Sequence, residues 1–556
     1  MLTKTVPSEQ KLRGGYYTPQ ILSDFMSKWA IRNPNSRVLE PSCGDGNFLE
    51  SAVKSLRNLE ARDEAIAELI TGVEYSDIES AKAWNRMREL GIPVNLTTIV
   101  NQDFFKYLND ELINNNKFDV VLGNPPFIKY QDFKEEQRQI AFNLMNEKGF
   151  NPNRLTNVWV PFLVLSSFLL SDNGKLAMVV PAELFQVGYA GETRKFLSEF
   201  YQNITIITFK KLIWKDAQQE VVLLLCEKNT NDVNKIKAVE LDTIEDLVNF
   251  DFDTLEGIDE KNINHSKDKW TQYFLSNAEI DLLNSIKSND NLYWSGDIYK
   301  VDVGIVTGQN KFFLLTEEQV INNQIPRENL VNIVSRSSHL EGTKFTLEDW
   351  NSNVSLGYPT YMLAPSNVEF EELDKTLQAF ILQGEQAKVH EGYKCRIRKR
   401  WYIVPSVWIP DAFMLRQVHL YPKLIKNEAA ATCTDTIHRV KFNDGFDADR
   451  VTVSFLNSLT FAYSEITGRS YGGGVLTFEP SEAERLPLPY LNSENLNIDL
   501  LNTLIKENRI DEVLDITDQI LLKDGLGLSQ IEIDMLRKTW IKMRDRRINR
   551  KKGPRT

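Results

Sequence analysis

The feature that most limits what this chain can become is an alternation, over about its first 225 residues, of short β-branched runs with longer helix-like stretches. A strand followed by a helix cannot fold back as a hairpin; the helical crossover makes successive strands parallel and covers both faces of the sheet. The expected fold class is therefore α/β, a Rossmann-like doubly wound domain. Residues 37–40, 71–74, 96–100 and 118–123 read as its first four strands, and 175–181, 204–209 and 220–226 as three more. Seven strands are expected, with helices near 48–56, 80–90 and 155–170.

The chain has 556 residues, and at roughly 100 to 200 residues per domain the sheet cannot be all of it. The expected organisation is a catalytic domain over 1–235, an acidic, Asn-rich connector over 236–290, and a mixed α/β second domain over 291–490. A helical segment with a basic tail follows over 491–556. With 42% hydrophobic and 26% charged residues the profile is neither fibrous nor disordered. No run of 18 uncharged apolar residues occurs, and residues 1–11 lack the apolar stretch of a secretory signal. The expectation is a cytoplasmic protein without a membrane partner. Cys43, Cys226, Cys395 and Cys433 form no CxxC pair, and His265, His339, His390, His419 and His438 show no ligand spacing. Neither a disulfide framework nor a metal site is expected. The net charge of -12 argues against nucleic acid only if charge is spread evenly, and it is not. Residues 537–556 hold ten Lys or Arg against Asp545 alone, so they carry +9 and the rest -21.

Open parallel sheets bind ligands beyond the carboxyl ends of their strands. The first strand runs into Glu40-Pro41-Ser42-Cys43-Gly44-Asp45-Gly46-Asn47, where Ser42, Gly44 and Gly46 allow a tight turn and close ligand approach. Glu74 ends the second strand, Asp103 follows the third, and Asn124-Pro125-Pro126-Phe127 follows the fourth. A carboxylate ending the second strand suits both hydroxyls of a ribose. The glycine turn departs from GxGxxG and carries acids, which disfavours a pyrophosphate and suits a cationic, amine-bearing nucleoside such as S-adenosylmethionine. An aromatic exocyclic amine is a poor nucleophile, because its lone pair is delocalised and its nitrogen gains positive charge on attack. The Asn124 side-chain oxygen and the Pro125 carbonyl are placed to accept both N–H bonds and stabilise that charge, while Phe127 offers a stacking face. Taken singly, Glu40 and Asp45 read as helix caps, Glu74 and Asp103 as turn acids, and Asn-Pro-Pro as a rigid turn.

Together with Gly15-Tyr16-Tyr17-Thr18-Pro19, these segments resemble the gamma-class N6-adenine DNA methyltransferases of restriction-modification systems, in motif order as well as in residues. The resemblance implies S-adenosylmethionine as cofactor and double-stranded DNA as partner. It implies that Thr18 and Glu40 hold the methionine part, Glu74 the ribose, and Asp103 with the Phe104 backbone the adenine, sandwiched by Tyr75 and Phe162. The family flips its target adenine out of the duplex and stacks it on the Asn-Pro-Pro aromatic and a second ring; Phe127 and Trp214 are the candidates. The resemblance extends more loosely to a C-terminal target-recognition domain through residues 304–310 and 469–474. Within it, Lys394, Arg396, Arg398 and Arg400 alternate as on one face of a strand, and Arg469 with Tyr471 and its three glycines reads as a loop suited to a groove. The solvated edge strand is the competing reading of that basic run.

The implied activity is a site-specific adenine methyltransferase acting as a monomer in a bacterial, nucleoid-associated setting, with any restriction endonuclease on a separate chain. Pro410-Asp411 lacks the downstream acid and lysine of a fused nuclease. Transfer to RNA or to a protein glutamine amide uses the same Asn-Pro-Pro chemistry and is the alternative. About 300 residues beyond the catalytic domain favour duplex reading. N4-cytosine methylation more often carries Ser at position 124, and a silent DNA-binding subunit would not need Asn124 to Phe127 or Glu74.

Overall fold

The computed structural model describes residues 17–93, 98–113, 115–211, 213–214, 220–228, 234–263, 269–471, 474–491 and 496–549. The chain divides into two compact units, one within Met1–Asn277 and one spanning Ala278–Ile548.

The first unit is built on β1 (Val38–Glu40), β2 (Ile70–Glu74), β3 (Thr98–Asn101), β4 (Phe118–Gly123), β5 (Leu170–Pro181), β6 (Asn203–Phe209), β7 (Val221–Glu227), β8 (Lys235–Leu241) and β9 (Lys261–Asn262). Their order in the sheet is β3-β2-β1-β4-β5-β7-β6-β8-β9. β1 to β5 are parallel, and β7 is inserted antiparallel between β5 and β6. Side-chain alternation sorts the strand residues into two apolar layers. Val38, Val120, Leu122, Ala177 and Val179 face one way with helices Gln20–Ala30, Asn47–Asn58 and Asp77–Glu89. Leu39, Val121, Leu176, Met178 and Val180 face the other, with Phe104–Ile113, Glu135–Glu147 and Trp159–Ser167. This is the α/β, Rossmann-like class that the element alternation implies. Among the described residues no helix is long and apolar enough to cross a membrane.

Two stretches differ from the sequence reading. The helix expected over 155–170 is shorter, Trp159–Ser167, because Asn153 and Thr156 close a turn before it and Leu170 already pairs in β5. Part of the segment expected to be a connector joins the sheet instead. β8 pairs parallel with β6, and β9 pairs antiparallel with β8. The exposed edge of β6 supplies partners for a polar strand whose own propensity is weak, an override by tertiary context. Phe250 and Phe252 then pack on Phe25, with ring centroids 5.5 and 5.1 Å away.

The second unit mixes short sheets with helices. One sheet orders Tyr299–Val303, Ile437–Phe442, Ala412–Leu415, Leu424–Asn427 and Lys344–Phe345, and a hairpin of Arg469–Tyr471 and Val475–Thr477 carries Gln417–Val418 on its edge. The basic run expected to be a strand is not one. Tyr393–Arg396 is a single helical turn and residues 397–400 bend away from it. An extended run would keep Cys395, Ile397 and Lys399 on one face, yet Cys395 is fully buried while the other two are exposed. The turn also packs on Gly308, where a Cβ would meet that of Lys394 at 2.7 Å.

The basic C-terminal segment is helical over Gln530–Ile548 and turns Leu536, Trp540 and Met543 inward. Much of its charge is spent internally. Arg537 pairs with Asp515 and Asp518, Lys542 with Glu279, and Arg547 with Glu465. Arg547 and Glu465 are each only 3% exposed. Two guanidinium nitrogens reach the carboxylate, at 2.9 and 2.7 Å, and the same side chain donates to the carbonyls of Gly474 and His419. Removing one member of a buried pair strands the other charge. Arg547→Ala is therefore expected to lower stability by about 3 kcal/mol or more, read from the urea midpoint, with Glu465→Gln in the same background recovering part of it. An unchanged midpoint in Arg547→Ala would show that the pair does not support the fold.

Candidate active site

β1 lies between β2 and β4, so the carboxyl ends of β1 to β4 open on one edge of the first unit. A cavity of about 1140 Å³ occupies that edge. Its wall includes Ser42, Gly44, Glu74, Tyr75, Asp103, Phe104, Asn124, Pro126 and Phe162. Thr18, Glu40, Gly46, Pro125, Phe127 and Trp214 stand outside the wall.

The turn after β1 owes its shape to two left-handed glycines, Gly44 at φ 52° and Gly46 at φ 85°. A Cβ on Gly46 would also come within 3.1 Å of the Ala83 backbone, so the turn tolerates no side chain there. Asp45 is not part of the wall; it pairs with Arg86, which also binds Glu50. Glu74 accepts the backbone N–H of Gly44 at 2.9 Å and that of Ser76 at 2.8 Å, one on each oxygen. Asp103 is at once a cap and a wall residue. Its Oδ1 accepts the N–H groups of Phe105 and Lys106 at 3.0 and 3.2 Å, while Oδ2 accepts from Gln137 Nε2 at 2.7 Å.

Glu40 is 2% exposed. Its Oε2 has no hydrogen-bond partner among the described residues. Burial pushes its carboxyl well above the usual carboxylate range, and the charges of Asp45 and Glu74 push it further. Loss of water raises Glu74 and Asp103 as well. Concentrating acids in a partly dry pocket is costly unless a cation arrives to share it.

Asn124 follows β4, and its Nδ2 donates to Thr18 Oγ1 at 3.1 Å. Ser42 Oγ donates to the Asn124 carbonyl at 3.4 Å. The N-terminal segment thus fastens the amide that the Asn-Pro-Pro motif places after β4. Phe127 is half-buried and packs against both apolar layers. The Trp214 indole donates to the Tyr17 carbonyl at 3.1 Å, which links it to Asn124 through residues 17 and 18. Phe162 stacks on Phe104 with centroids 4.9 Å apart and also lines the cavity. Tyr75, 55% exposed, is covered by Lys134, whose ammonium lies 4.6 Å from the ring centroid and 3.0 Å from the hydroxyl. Tyr17, beside Thr18 in the N-terminal motif, is also a wall residue, while Lys134, Gln137 and Lys82 are wall residues that the sequence reading missed. No motif marks these three, because they reach the cavity from segments whose positions only the packed fold defines. Gly15 and Tyr16 lie outside the described residues.

In the second unit, Lys394 and Arg396 are exposed. Arg398 instead donates to the Val306 and Thr307 carbonyls at 3.0 and 2.8 Å, Arg400 binds Asn367 and Glu369, and Arg469 pairs with Glu482 at 2.8 Å. Gly472, Gly473, the Tyr471 side chain and residues 550–556 lie outside what is described.

The sequence matches the N-6 DNA Methylase family over residues 1–334 and the C-terminal domain of Type II methyltransferase M.Eco57I over residues 267–522. Among curated relatives it is similar to Type II methyltransferase M.AccI of Acinetobacter calcoaceticus, 24% identical over 537 residues that span 91% of this chain and 92% of the relative. Type II methyltransferase M.XamI of Xanthomonas campestris pv. amaranthicola is 19% identical over 87% of this chain and 86% of its own. Among solved structures, the Type IIL restriction-modification enzyme MmeI, in complex with DNA, shares the fold with a TM-score of 0.59 at 13% identity, over 94% of this chain and 75% of that one.

The raised Glu40 carboxyl has a consequence for stability. A carboxyl whose folded pKa is raised contributes stability below its unfolded value, and that stability is lost as pH rises through the folded value. Glu40→Gln is thus expected to raise the melting temperature of the ligand-free protein at neutral pH. The gap should shrink as pH falls toward the ordinary carboxylate range, as differential scanning fluorimetry across pH would measure. A lower melting temperature at neutral pH would show that the ionised carboxylate is stabilised in place.

Proposed function

The chain belongs to the N-6 DNA methylase family, and from that premise we propose that it methylates the N6 amine of an adenine flipped out of duplex DNA, with S-adenosylmethionine as methyl donor. The observation that carries this reading is the Asn124 to Phe127 turn. It stands at the end of β4 with its amide tied to Thr18, on the same sheet edge as Glu74 and Asp103.

The pocket fits the cofactor on its own chemistry. The wall acids Glu74 and Asp103, both of raised pKa, and just outside the wall the buried Glu40, whose Oε2 has no hydrogen-bond partner among the described residues, suit a ligand bearing an ammonium and a sulfonium. Thr18 and Glu40 would hold the methionine part, Glu74 the ribose, and Asp103 with the Phe104 backbone the adenine. Phe162 and Tyr75 would cover the ring, and the Ser42, Gly44 and Gly46 turn leaves room for the backbone to approach. When bound, S-adenosylmethionine supplies an electrophilic methyl group.

The chain's own part in the reaction is alignment and charge stabilisation. Asn124 Oδ1 and the Pro125 carbonyl accept the two N–H bonds of the target amine and favour the positive charge its nitrogen gains. Phe127 and Trp214 stack the extruded base. The match of residues 267–522 to a methyltransferase C-terminal domain supports a DNA-recognition role for the second unit, with Lys394, Arg396 and the hairpin of Arg469 and Tyr471 on its DNA side. By the same reading the protein modifies host DNA in the bacterial cytoplasm as a monomer, in partnership with a separately encoded endonuclease.

Long-read sequencing of DNA from cells expressing the chain is expected to find N6-methyladenine in one defined motif, absent with Asn124→Ala. Cofactor affinity of that variant, measured by calorimetry, should stay within about threefold of wild type, because the Asn124 amide is assigned to the target base. Loss of cofactor binding in Asn124→Ala would overturn that assignment. Absence of any modified base would turn the search to RNA and protein amides.

A further inference from the structure

Cations mark the turn at residues 393–397 in the sequence, but its apolar residues stand out more in the fold. Tyr393 is 65% exposed and Ile397 60%. Ile397 N donates to the Tyr393 carbonyl at 3.3 Å, so the two lie one helical turn apart on the same side. Exposed apolar residues are common singly, whereas a pair on one built protrusion asks for a partner.

The protrusion is braced from behind. Cys395 is fully buried, Gly308 leaves room for the Lys394 Cβ, and Arg398 ties the turn to the Val306 and Thr307 carbonyls. Arg400 anchors the next residues to Asn367 and Glu369. The charges then divide cleanly. The cations that brace have internal acceptors, while Lys394, Arg396 and Lys399 are exposed and in no salt bridge among the described residues. The Lys394 ammonium lies 5.8 Å from the Tyr393 ring centroid, and cations without acid partners in a chain of net charge -12 favour a polyanion over an ordinary protein surface.

We propose that Tyr393 and Ile397 form a rigid apolar wedge that enters a groove of duplex DNA, with Lys394, Arg396 and Lys399 on the flanking phosphates. Apolar side chains that press into a groove contribute buried area and resist exchange for water, and they work only if the DNA cannot bend them aside. The internal bonds of Arg398 and Arg400 supply that stiffness. This inference rests on the reading of the second unit as the DNA-recognition part.

The test separates wedge from cations, using the full chain and a labelled duplex of about 30 base pairs carrying the motif found by sequencing. Lys394→Gln with Arg396→Gln and Lys399→Gln should reduce the slope of log affinity against log salt by about one for each phosphate that is no longer neutralised. Tyr393→Ser with Ile397→Ser should weaken binding about tenfold at fixed salt while leaving that slope, and cofactor affinity, unchanged. All five positions are exposed, so both variants should fold. If the cation variant loses slope and the apolar variant binds like wild type, the wedge is overturned while the DNA face stands. If neither variant changes binding although the chain methylates DNA, the face itself is wrong.

Discussion

Parallel pairing of β1 with β2 on one side and β4 on the other governs the first unit. Because all three strands point the same way, the residues that follow them emerge on one edge, and the turn after β1 lies beside both Glu74 and Asn124. The pairing demands helices on both faces, since a parallel sheet is buried on each. Alternate side chains supply the two layers, Val38 on one and Leu39 on the other. The site is therefore a by-product of sheet topology; its polar groups contribute little to the core, whereas Phe104 and Phe162 belong to both core and cavity wall.

Those polar groups carry a cost. Glu40, Glu74 and Asp103 are all held above the ordinary carboxylate range, in each case first by loss of water. Hydrogen bonds offset part of it. Glu74 and Asp103 receive backbone N–H groups on the turns they close, and Gln137 covers the second oxygen of Asp103. The same bonds serve two ends, since a carboxylate that caps a helix or closes a turn is also held at a fixed angle toward the cavity. The reading as cap and the reading as ligand holder are compatible for Asp103. For Asp45 the Arg86 pair leaves only the structural one.

In the second unit the decisive constraint is the pairing of charge. Arg398, Arg400, Arg469, Arg537 and Arg547 all have internal partners. Guanidinium groups suit this work, because their planar fork can satisfy carbonyls and carboxylates together. Lys394, Arg396 and Lys399 around the 393–397 turn are among the cations that stay exposed and outside any salt bridge of the described residues. A protein can be acidic overall and still present a basic face, provided its internal arginines consume acids elsewhere.

Much of the first unit was legible in the chain because its signals are local. Strand-helix alternation, left-handed glycines after β1 and the rigid Asn-Pro-Pro turn are each written within a few residues, and the α/β class follows from them. Other features needed the tertiary structure. β8 became a strand because β6 offered an open edge, not because its own residues demanded one. The basic alternation at 394–400 suggested a strand, yet burial of Cys395 against a distant glycine turn wound it into a helix. Gln137 and Lys134 reached the cavity with no motif to mark them. The physical reason is common to all three. Periodicity and turn chemistry act between near neighbours, whereas edge pairing, burial and charge neutralisation join residues such as Arg398 and Val306, or Arg547 and Glu465, which meet only when the chain has folded.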